Sequence, residues 1–471
     1  MRHQAPLFPQ CLLTLIGGRD SRYPSRMPPS ELPLRSTIDR RIAALALPAL
    51  GALIVEPMLL TLDAIFIGHL GAAPLAGLAI ASAILQTAVG LMIFLAYSTT
   101  PMVARRRGAG DMRGAVQAGI DGLWLALGIG IVVGSALWLV SAPIVRLFGA
   151  DAAATGQALA YLTVSCLGIP AMLLVFAATG LLRGLQDTRT PLYVATIGFS
   201  ANALLNWWFI YGLGWGIAGS AWGTVVAQWG MVVVYVAVVA RHARRAGANG
   251  LPHRDGLSQA GRSGGWLFIR TLGLRAAFLA TVFAATSHGT DATAAYQVVF
   301  TIFSTAAFAL DALAIAAQAL IGDALGSRNA ALARRIVGRT IFWGLVAGAV
   351  IGAVLALGSQ VIGRAFTSDA GVLELLPPAL IVLGCSLPLG GFVFVLDGVL
   401  MGAGDVRYLA WTSMVNLAVY LPVLWLATSL VPSGTAALVA ITASFMVAFM
   451  VARATTLGLR ARGGRWIVLG V

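Results

Sequence analysis

Charge is the first thing this sequence has little of. Only 10% of its 471 residues are charged, against 59% hydrophobic. A soluble chain carries about 25% charged residues, so that class is excluded and a polytopic membrane protein is indicated. Lysine is missing altogether: all 31 basic residues are arginine, a bias that says more about coding than about mechanism. Cysteine is nearly absent too. Cys11, Cys166 and Cys385 show neither paired nor metal-ligand spacing, and the last two, inside apolar runs, are expected as core residues. The five histidines (His3, His69, His242, His253, His288) are scattered through tail and loops. The glycine-rich GLGWG at 212–216 lacks the lysine of a phosphate loop. With no nucleophile–base pair and no ligand spacing, neither an enzyme nor a bound metal or cofactor is expected.

What the chain has in abundance is apolar sequence of spanning length. Twelve helices are expected near 42–67, 74–101, 119–140, 155–181, 190–211, 216–240, 266–287, 293–321, 336–360, 375–400, 408–430 and 435–457. The connections alternate in charge. Arginines crowd the tail (Arg35, Arg40, Arg41), the second loop (Arg105, Arg106, Arg107, Arg113), the middle loop (Arg241, Arg244, Arg245, Arg254, Arg262), the eighth loop (Arg328, Arg334, Arg335) and the C-terminus (Arg460, Arg462, Arg465). The opposite loops carry only Arg146 and Arg364. The positive-inside rule then puts both termini in the cytoplasm of a bacterial-type inner membrane. The net charge of +14 reads as a topology signal with some attraction to anionic lipid, rather than as nucleic-acid binding. Trp207, Trp208, Tyr211 and Trp215 gather at one helix end as an interfacial belt does. The tail 1–41 is expected to be disordered and cytoplasmic, with a start at Met27 as an alternative to Met1, and 458–471 to be a basic cytoplasmic tail.

The chain repeats itself. A shift of 218 residues lays HLGAAPLAGLAI (69–80) on SHGTDATAAYQV (287–298), RLFGADA (146–152) on RAFTSDA (364–370), and GLLRGLQDTR (180–189) on GVLMGAGDVR (398–407). The same shift pairs Gly108 with Gly326, Pro170 with Pro388 and Phe176 with Phe394. Two homologous six-helix lobes are therefore expected, 42–240 and 266–457, joined by a cytoplasmic linker at 241–265. An even helix count gives both lobes one orientation, related by an axis along the membrane normal. Secondary transporters use such pairs, and one chain carrying both lobes is expected to work as a monomer. Gly130 and Gly134, matched by Gly348 and Gly352, supply faces for close helix packing.

Against that background, GALIVEPMLLTLDAIFIGHLG (51–71) is anomalous. Glu56 and Asp63 are seven residues apart, on one helix face and roughly 10 Å apart along the axis. An acid in the bilayer costs at least about 2.5–3.5 kcal/mol and usually has a task. Pro57 removes a backbone donor beside Glu56 and predicts a bend. Two acids that merely tie helices together are the plainer alternative; the shared face beside a helix breaker favours function. Asn202 and Asn206, four apart, can join them as supporting polar groups. Taking a carboxylate out of water favours its neutral form, which suits an acid that carries protons. The second lobe holds Asp311 and Asp397 in apolar runs. Arg270 is placed close enough to a helix end to snorkel, whereas Arg275 is expected deeper, paired with a second-lobe acid or lining a substrate path. Asp121 is expected to reach the interface, and Asp187 and Asp405 to cap turns. Neither acid of the first helix has an acidic twin: 218 residues on, Glu56 falls on Leu274 and Asp63 on Thr281.

Five stretches carry a resemblance: LALPALGALIVEPMLLTLDAIFIGHLG (45–71), GLLRGLQDTRTPL (180–192), GLGWGIAGSAWGTVVAQ (212–228), LDALAIAAQALIGDALG (310–326) and LDGVLMGAGDVRYLA (396–410). In these the chain resembles the multidrug and toxic compound extrusion (MATE) transporters, most closely their DNA-damage-inducible F branch, over residues 42–460. The resemblance implies cation-coupled antiport that exports cationic, amphipathic drugs and toxic solutes. It also implies a coupling role for the first-helix aspartate, here Asp63. Some members pair it with an asparagine and an aspartate four apart on the fifth helix; here both positions are asparagine, Asn202 and Asn206. That departure, with no acid on the seventh helix, favours protons over sodium and puts the weight on Asp63 and Glu56. A lipid-linked precursor flippase of the same superfamily and a sodium-coupled exporter are the alternatives.

Overall fold

The computed structural model describes residues 34–431 and 434–470, apart from the side chains of Glu56, Leu59 and Leu60. Those residues are organised in twelve long helices: α1 Arg35–Gly68, α2 Ala72–Gly108, α3 Met112–Arg146, α4 Ala152–Gly184, α5 Arg189–Trp207, α6 Gly216–Ala246, α7 Arg254–Thr286, α8 Thr290–Gly326, α9 Ala330–Leu357, α10 Ala370–Gly402, α11 Val406–Leu430 and α12 Gly434–Arg462. Ten of them, all but α1 and α5, are by themselves long and apolar enough to cross a membrane. The protein is an all-α, multi-pass membrane protein. Its helices pack as two units, residues 47–268, and residues from Ile269 onward with the described residues up to Ala46.

Sequence chemistry accounts for where these helices stop and start. Asp111, Asp151 and Asp369 cap α3, α4 and α10, their carboxylates accepting from the backbone N–H of Gly114, Ala154 and Val372, and Asn329 does the same for α9 through Leu332. Each satisfies a donor that the first turn leaves without an intrahelical partner. Asp187 caps α5, accepting from the N–H of Arg189 and Thr190 and from the Thr190 hydroxyl. Its twin Asp405 does not cap; it is taken up by Arg460, whose Nε lies 2.6 Å from the carboxylate.

The repeat reappears in the backbone of each unit. Left-handed φ values fall at pairs exactly one repeat apart in number: Gly71 (119°) and Gly289 (102°), Gly110 (81°) and Arg328 (57°), Gln186 (65°) and Gly404 (73°), Gly216 (57°) and Gly434 (76°). Close helix approach is repeated as well. A methyl group on Gly130 would lie 2.5 Å from Cα of Pro170, and one on Gly348 would lie 2.8 Å from Cα of Pro388. Gly134 meets the Cys166 carbonyl at 2.9 Å and Gly352 meets the Gly384 carbonyl at 2.1 Å, again one repeat apart. The small-residue faces expected for α3 and α9 are thus in contact with α4 and α10.

Several expectations need correcting. α1 runs as one continuous helix through Pro48 and Pro57, the position of the expected bend, with the Thr61 hydroxyl donating to the Pro57 carbonyl at 3.0 Å. Cys166 is buried but Cys385 is exposed. Asp121 does not reach an interface: it is only 1% exposed. Its carboxylate accepts from the backbone N–H of His253 at 2.9 Å and from Gln117 at 3.1 Å. Gln117 in turn grips the chain between α6 and α7, donating to the Leu251 carbonyl and accepting from the Asn249 N–H. The arginine-rich stretch expected as a linker at 241–265 is helical except at 247–253, which Asp121 and Gln117 hold. At the far end Trp466 is buried and the Gly470 N–H donates to the Leu325 carbonyl, so the last residues pack on the second unit. The expectations for the tail before residue 34 and for Cys11 lie outside the described residues.

Candidate functional site

Within the 47–268 unit, four helices bring their polar side chains to one buried place. Asp63 comes from α1, in a hydrophobic-rich stretch that starts at 45, and is 7% exposed. The Asn206 side-chain amide of α5 donates to Asp63 Oδ1 at 2.5 Å. Asn202, one turn earlier on the same face, donates to the Thr224 hydroxyl of α6 at 3.0 Å. The two asparagines also face each other at 3.4 and 3.5 Å. From α4, Tyr161 brings its hydroxyl beside Ser165, Ser220 and Thr224, within electrostatic reach of Asp63. The cluster is buried: Asn206 is 0% exposed.

Local sequence makes this packing possible. Asn206 sits against α6 only because residue 223 is glycine; a Cβ there would lie 2.0 Å from Asn206 Oδ1 and 3.0 Å from its backbone nitrogen. The C-terminal end of α1 is held on the same side by Tyr211, whose hydroxyl donates to the Phe66 carbonyl at 2.8 Å while the two rings meet edge to face. The expected union of Asp63, Asn202 and Asn206 is present. Glu56 and its position relative to Asp63 lie outside the described side chains. Tyr161, Ser220 and Thr224 were missed in reading the sequence. The signal for the last two was in GLGWGIAGSAWGTVVAQ, where Ser220 and Thr224 are one turn apart and flank the glycine that admits Asn206.

Among the described side chains, the cluster is one acid among neutral groups. The partners found for Asp63 are an amide and, nearby, hydroxyls; they donate hydrogen bonds and carry no formal charge. When the carboxylate is ionised, charge compensation has to come from a proton or from a bound cation. The oxygens of Asp63, Asn202, Asn206 and Thr224 are also of the type that small alkali cations accept. Among the described residues no group of three or more His, Cys, Asp or Glu side chains could hold a metal ion.

The second unit has a different polar core. Asp397 of α10 accepts from both Nε and Nη2 of Arg270 on α7, and from Arg453 of α12 at 3.2 Å. Asp311 of α8 faces Arg453 electrostatically, and the Arg453 guanidinium lies 6.0 Å from the rings of Phe394 and Phe449. This corrects the reading of the two α7 arginines. Arg270 is buried and bridged to the second-unit acid, whereas Arg275 is exposed. The reason is the helix start: α7 begins at Arg254, so Arg270 lies roughly 24 Å inside it. Five further residues rotate Arg275 to another face. Arg453, inside the expected span 435–457, was overlooked as an intramembrane base. Where Asp63 has its twin, Thr281 meets the Tyr420 hydroxyl at 2.5 Å.

Comparison with known proteins agrees with the fold. The MatE family profile matches residues 48–208 and 268–426. "Protein DETOXIFICATION 44, chloroplastic" of Arabidopsis thaliana is 28% identical over 397 residues, covering 80% of this chain and 74% of its own. "DNA damage-inducible protein F" of Escherichia coli is 27% identical over 300 residues, 62% of this chain and 64% of its own. In fold, the chain resembles the Vibrio cholerae MATE transporter VcmN in its bent form, with a TM-score of 0.82 at 22% identity over 91% of this chain and 98% of that one. A MOP superfamily transporter from Pyrococcus furiosus superposes with a TM-score of 0.81 at 21% identity, over 90% of this chain and 95% of that one.

Proposed function

Since the chain belongs to the MatE family of multidrug and toxic compound extrusion transporters, we propose that it is an antiporter exchanging protons for cationic or amphipathic organic solutes, with Asp63 as the coupling residue. A transporter of this family is not an enzyme, and the work lies in making binding of one ligand exclude the other. The observation that carries the proposal is the company Asp63 keeps: Asn206 donates to it, and no arginine is bonded to it among the described residues. Asp397, by contrast, is bonded to two arginines, Arg270 and Arg453, and is committed to them.

The sequence of events follows from that chemistry. With Asp63 ionised, its carboxylate, bonded to the neutral Asn206 amide, favours an organic cation. A proton arriving on Asp63 removes that charge and the reason for the cation to stay. Loss of the cation and rearrangement of the Asn202–Asn206–Thr224 bonds then accompany the change of access. A membrane potential of 100 mV supplies about 2.3 kcal/mol per charge moved, enough to bias a two-state carrier. The arginine distribution supports an inner-membrane orientation with both termini cytoplasmic, and protons, organic cations and membrane lipid as the partners.

The test is transport by Asp63→Asn in inverted vesicles, where a pH gradient drives accumulation of a fluorescent organic cation by wild type. The variant, present at equal level, is expected to lose the gradient-driven component. Persistence of that component would overturn Asp63 as the coupling residue. A second reading, sodium coupling, is favoured by the four oxygen-bearing side chains of the cluster. Repeating the assay with a sodium gradient at uniform pH separates the two ions.

A further inference from the structure

The surface of the 47–268 unit carries a deep apolar groove away from Asp63. Its larger part, about 620 Å³, lies between α3, α4 and α6 and is lined by Leu123, Trp124, Leu174, Val236 and Ala240, with Arg244 at one end. A second cavity of about 560 Å³, with Ile131, Trp138 and Leu139 in its wall, continues it; Trp229 lines both. The volume of each is that of a small-molecule site. Nothing in the described chain covers it: Val236, Trp138 and Leu139 are each more than half exposed.

Two features distinguish this groove from ordinary lipid-facing surface. The first is that its polar atoms are already spent. The Trp124 indole donates to the Gly250 carbonyl, Trp229 to the Leu167 carbonyl, and the Tyr235 hydroxyl is bonded to Thr179. What remains facing the groove is hydrocarbon and ring surface. The second is the charge at one end only. Arg244 closes the groove, Arg241 and Arg245 share its last turns of helix, and Arg254 and Arg262 follow; Asp255 is the single exposed acid among residues 241–262. Of the other acids nearby, Asp121 is buried under His253 and Asp187, within electrostatic reach of Tyr235, is bonded to Thr190 at the start of α5. Arg244 forms no ion pair among the described residues. From Arg244 to Trp229 the groove runs roughly 22 Å along α6, about the reach of one extended lipid acyl chain.

We propose that this groove is a binding site for an anionic phospholipid from the arginine-rich side of the membrane, one acyl chain lying between α3, α4 and α6 and the phosphate at Arg244. The same end of the groove is walled by Ala248 and Gly250, the segment that Gln117 and Asp121 hold. A lipid there packs against the connection between α6 and α7. The site does not depend on which ion drives transport.

The experiment uses the full-length protein in nanodiscs of phosphatidylcholine containing a minor share of phosphatidylglycerol. Lipids that stay with the protein on release into mild detergent are counted by native mass spectrometry. Wild type is expected to keep phosphatidylglycerol in preference to phosphatidylcholine. Arg244→Gln should lower retained phosphatidylglycerol about fivefold, the factor that one basic contact with anionic lipid supplies, and Arg244→Lys should restore most of it. Ala240→Trp, which fills the groove, should abolish retention of either lipid; Val236→Trp, at an exposed wall position, serves if the first variant does not fold. Equal retention of the two lipids by wild type would show ordinary surrounding lipid and overturn the proposal. Unchanged phosphatidylglycerol in Arg244→Gln, or in both groove-filling variants, would overturn it as well.

Discussion

Asp397 and Arg453 form an ion pair at the positions where, 218 residues earlier, Thr179 and Tyr235 form a hydrogen bond of 3.1 Å. The converse holds at a second pair of equivalent positions. Asp63 and Asn202 belong to the buried cluster of the first unit, and their twins Thr281 and Tyr420 are bonded to each other in the second. Each repeat therefore contains two polar crossings between helices. In each, one crossing is a threonine–tyrosine pair and the other includes an acid, but the acid has changed places. The first unit keeps its acid among neutral donors, and the second neutralises its acid with two arginines.

That exchange predicts an order of stabilities. Asp397→Thr removes the carboxylate that Arg270 and Arg453 share and should cost about 3–5 kcal/mol, as breaking a buried ion pair does. Arg453→Tyr should cost less, since Arg270 still compensates Asp397. Grafting the first unit's residues at these three positions, with Arg270→Ala, Asp397→Thr and Arg453→Tyr together, should recover part of the loss, since Asp311 then loses the arginine it faces. Thermal unfolding in detergent, compared across the single and triple variants, checks the order; a triple variant worse than Asp397→Thr contradicts it.

Much of this was legible in the residues and some was not. The repeat was visible because loop chemistry is local: glycines at left-handed positions and capping acids recur at fixed spacing whatever the helices do between them. That Asn202 and Asn206 share a face was legible for a similar reason, since a spacing of four fixes a helix face; that this face meets Asp63 comes from the packing of α1 on α5. What sequence could not give was depth. Arg270 was placed near a helix end because the polar stretch before it resembled a loop, whereas α7 already runs from Arg254. Asp121 was misjudged for the matching reason. Gln117, one turn away, is a local partner, but the backbone N–H of His253 comes from 132 residues along the chain, and no local pattern announces it.

Glycine contacts give a controlled comparison. A methyl group on Gly348 would lie 2.3 Å from the Leu387 carbonyl oxygen, which is backbone and cannot swing aside. Gly348→Ala should therefore destabilise by about 1–3 kcal/mol, the range for overpacking. Gly338, on the same helix, has open space within 4 Å, so Gly338→Ala should be neutral or stabilising by up to about 1 kcal/mol. Equal thermal shifts in the two variants would contradict the packing account of the α9–α10 contact.

The asparagine beside Asp63 offers a second test of coupling. Asn206→Leu removes the donor found on Asp63 while keeping the bulk of the side chain. Losing a hydrogen bond to a charged group costs about 1.5–3 kcal/mol, so substrate-linked proton release should fall roughly tenfold or more. Gly223→Ala attacks the same bond indirectly, because its Cβ would press on Asn206 Oδ1. Proton release measured in weakly buffered detergent solution, on adding an organic cation, should be reduced in both. Normal release from both variants would detach Asn206 from the coupling step.

The connection between α6 and α7 should open when its buried acid is removed. Asp121 accepts the His253 N–H, and Gln117 holds both Asn249 and Leu251. Asp121→Ala also leaves the Gln117 amide with one partner fewer. Each lost bond to a charged acceptor is worth about 1.5–3 kcal/mol, and a segment freed by that amount opens roughly ten- to a hundredfold more often. Trypsin is a suitable probe, because Arg244, Arg245 and Arg254 flank the held stretch. Cleavage there should accelerate by at least about tenfold in Asp121→Ala, while Asp121→Asn, which retains an acceptor oxygen for His253, should fall between the two. Cleavage at Arg460 and Arg462 is the internal reference, since those sites lie in the other unit and should be unaffected. If all sites accelerate together, the substitution has loosened the whole protein; acceleration confined to 244–254 identifies Asp121 as the residue that holds the connection in place.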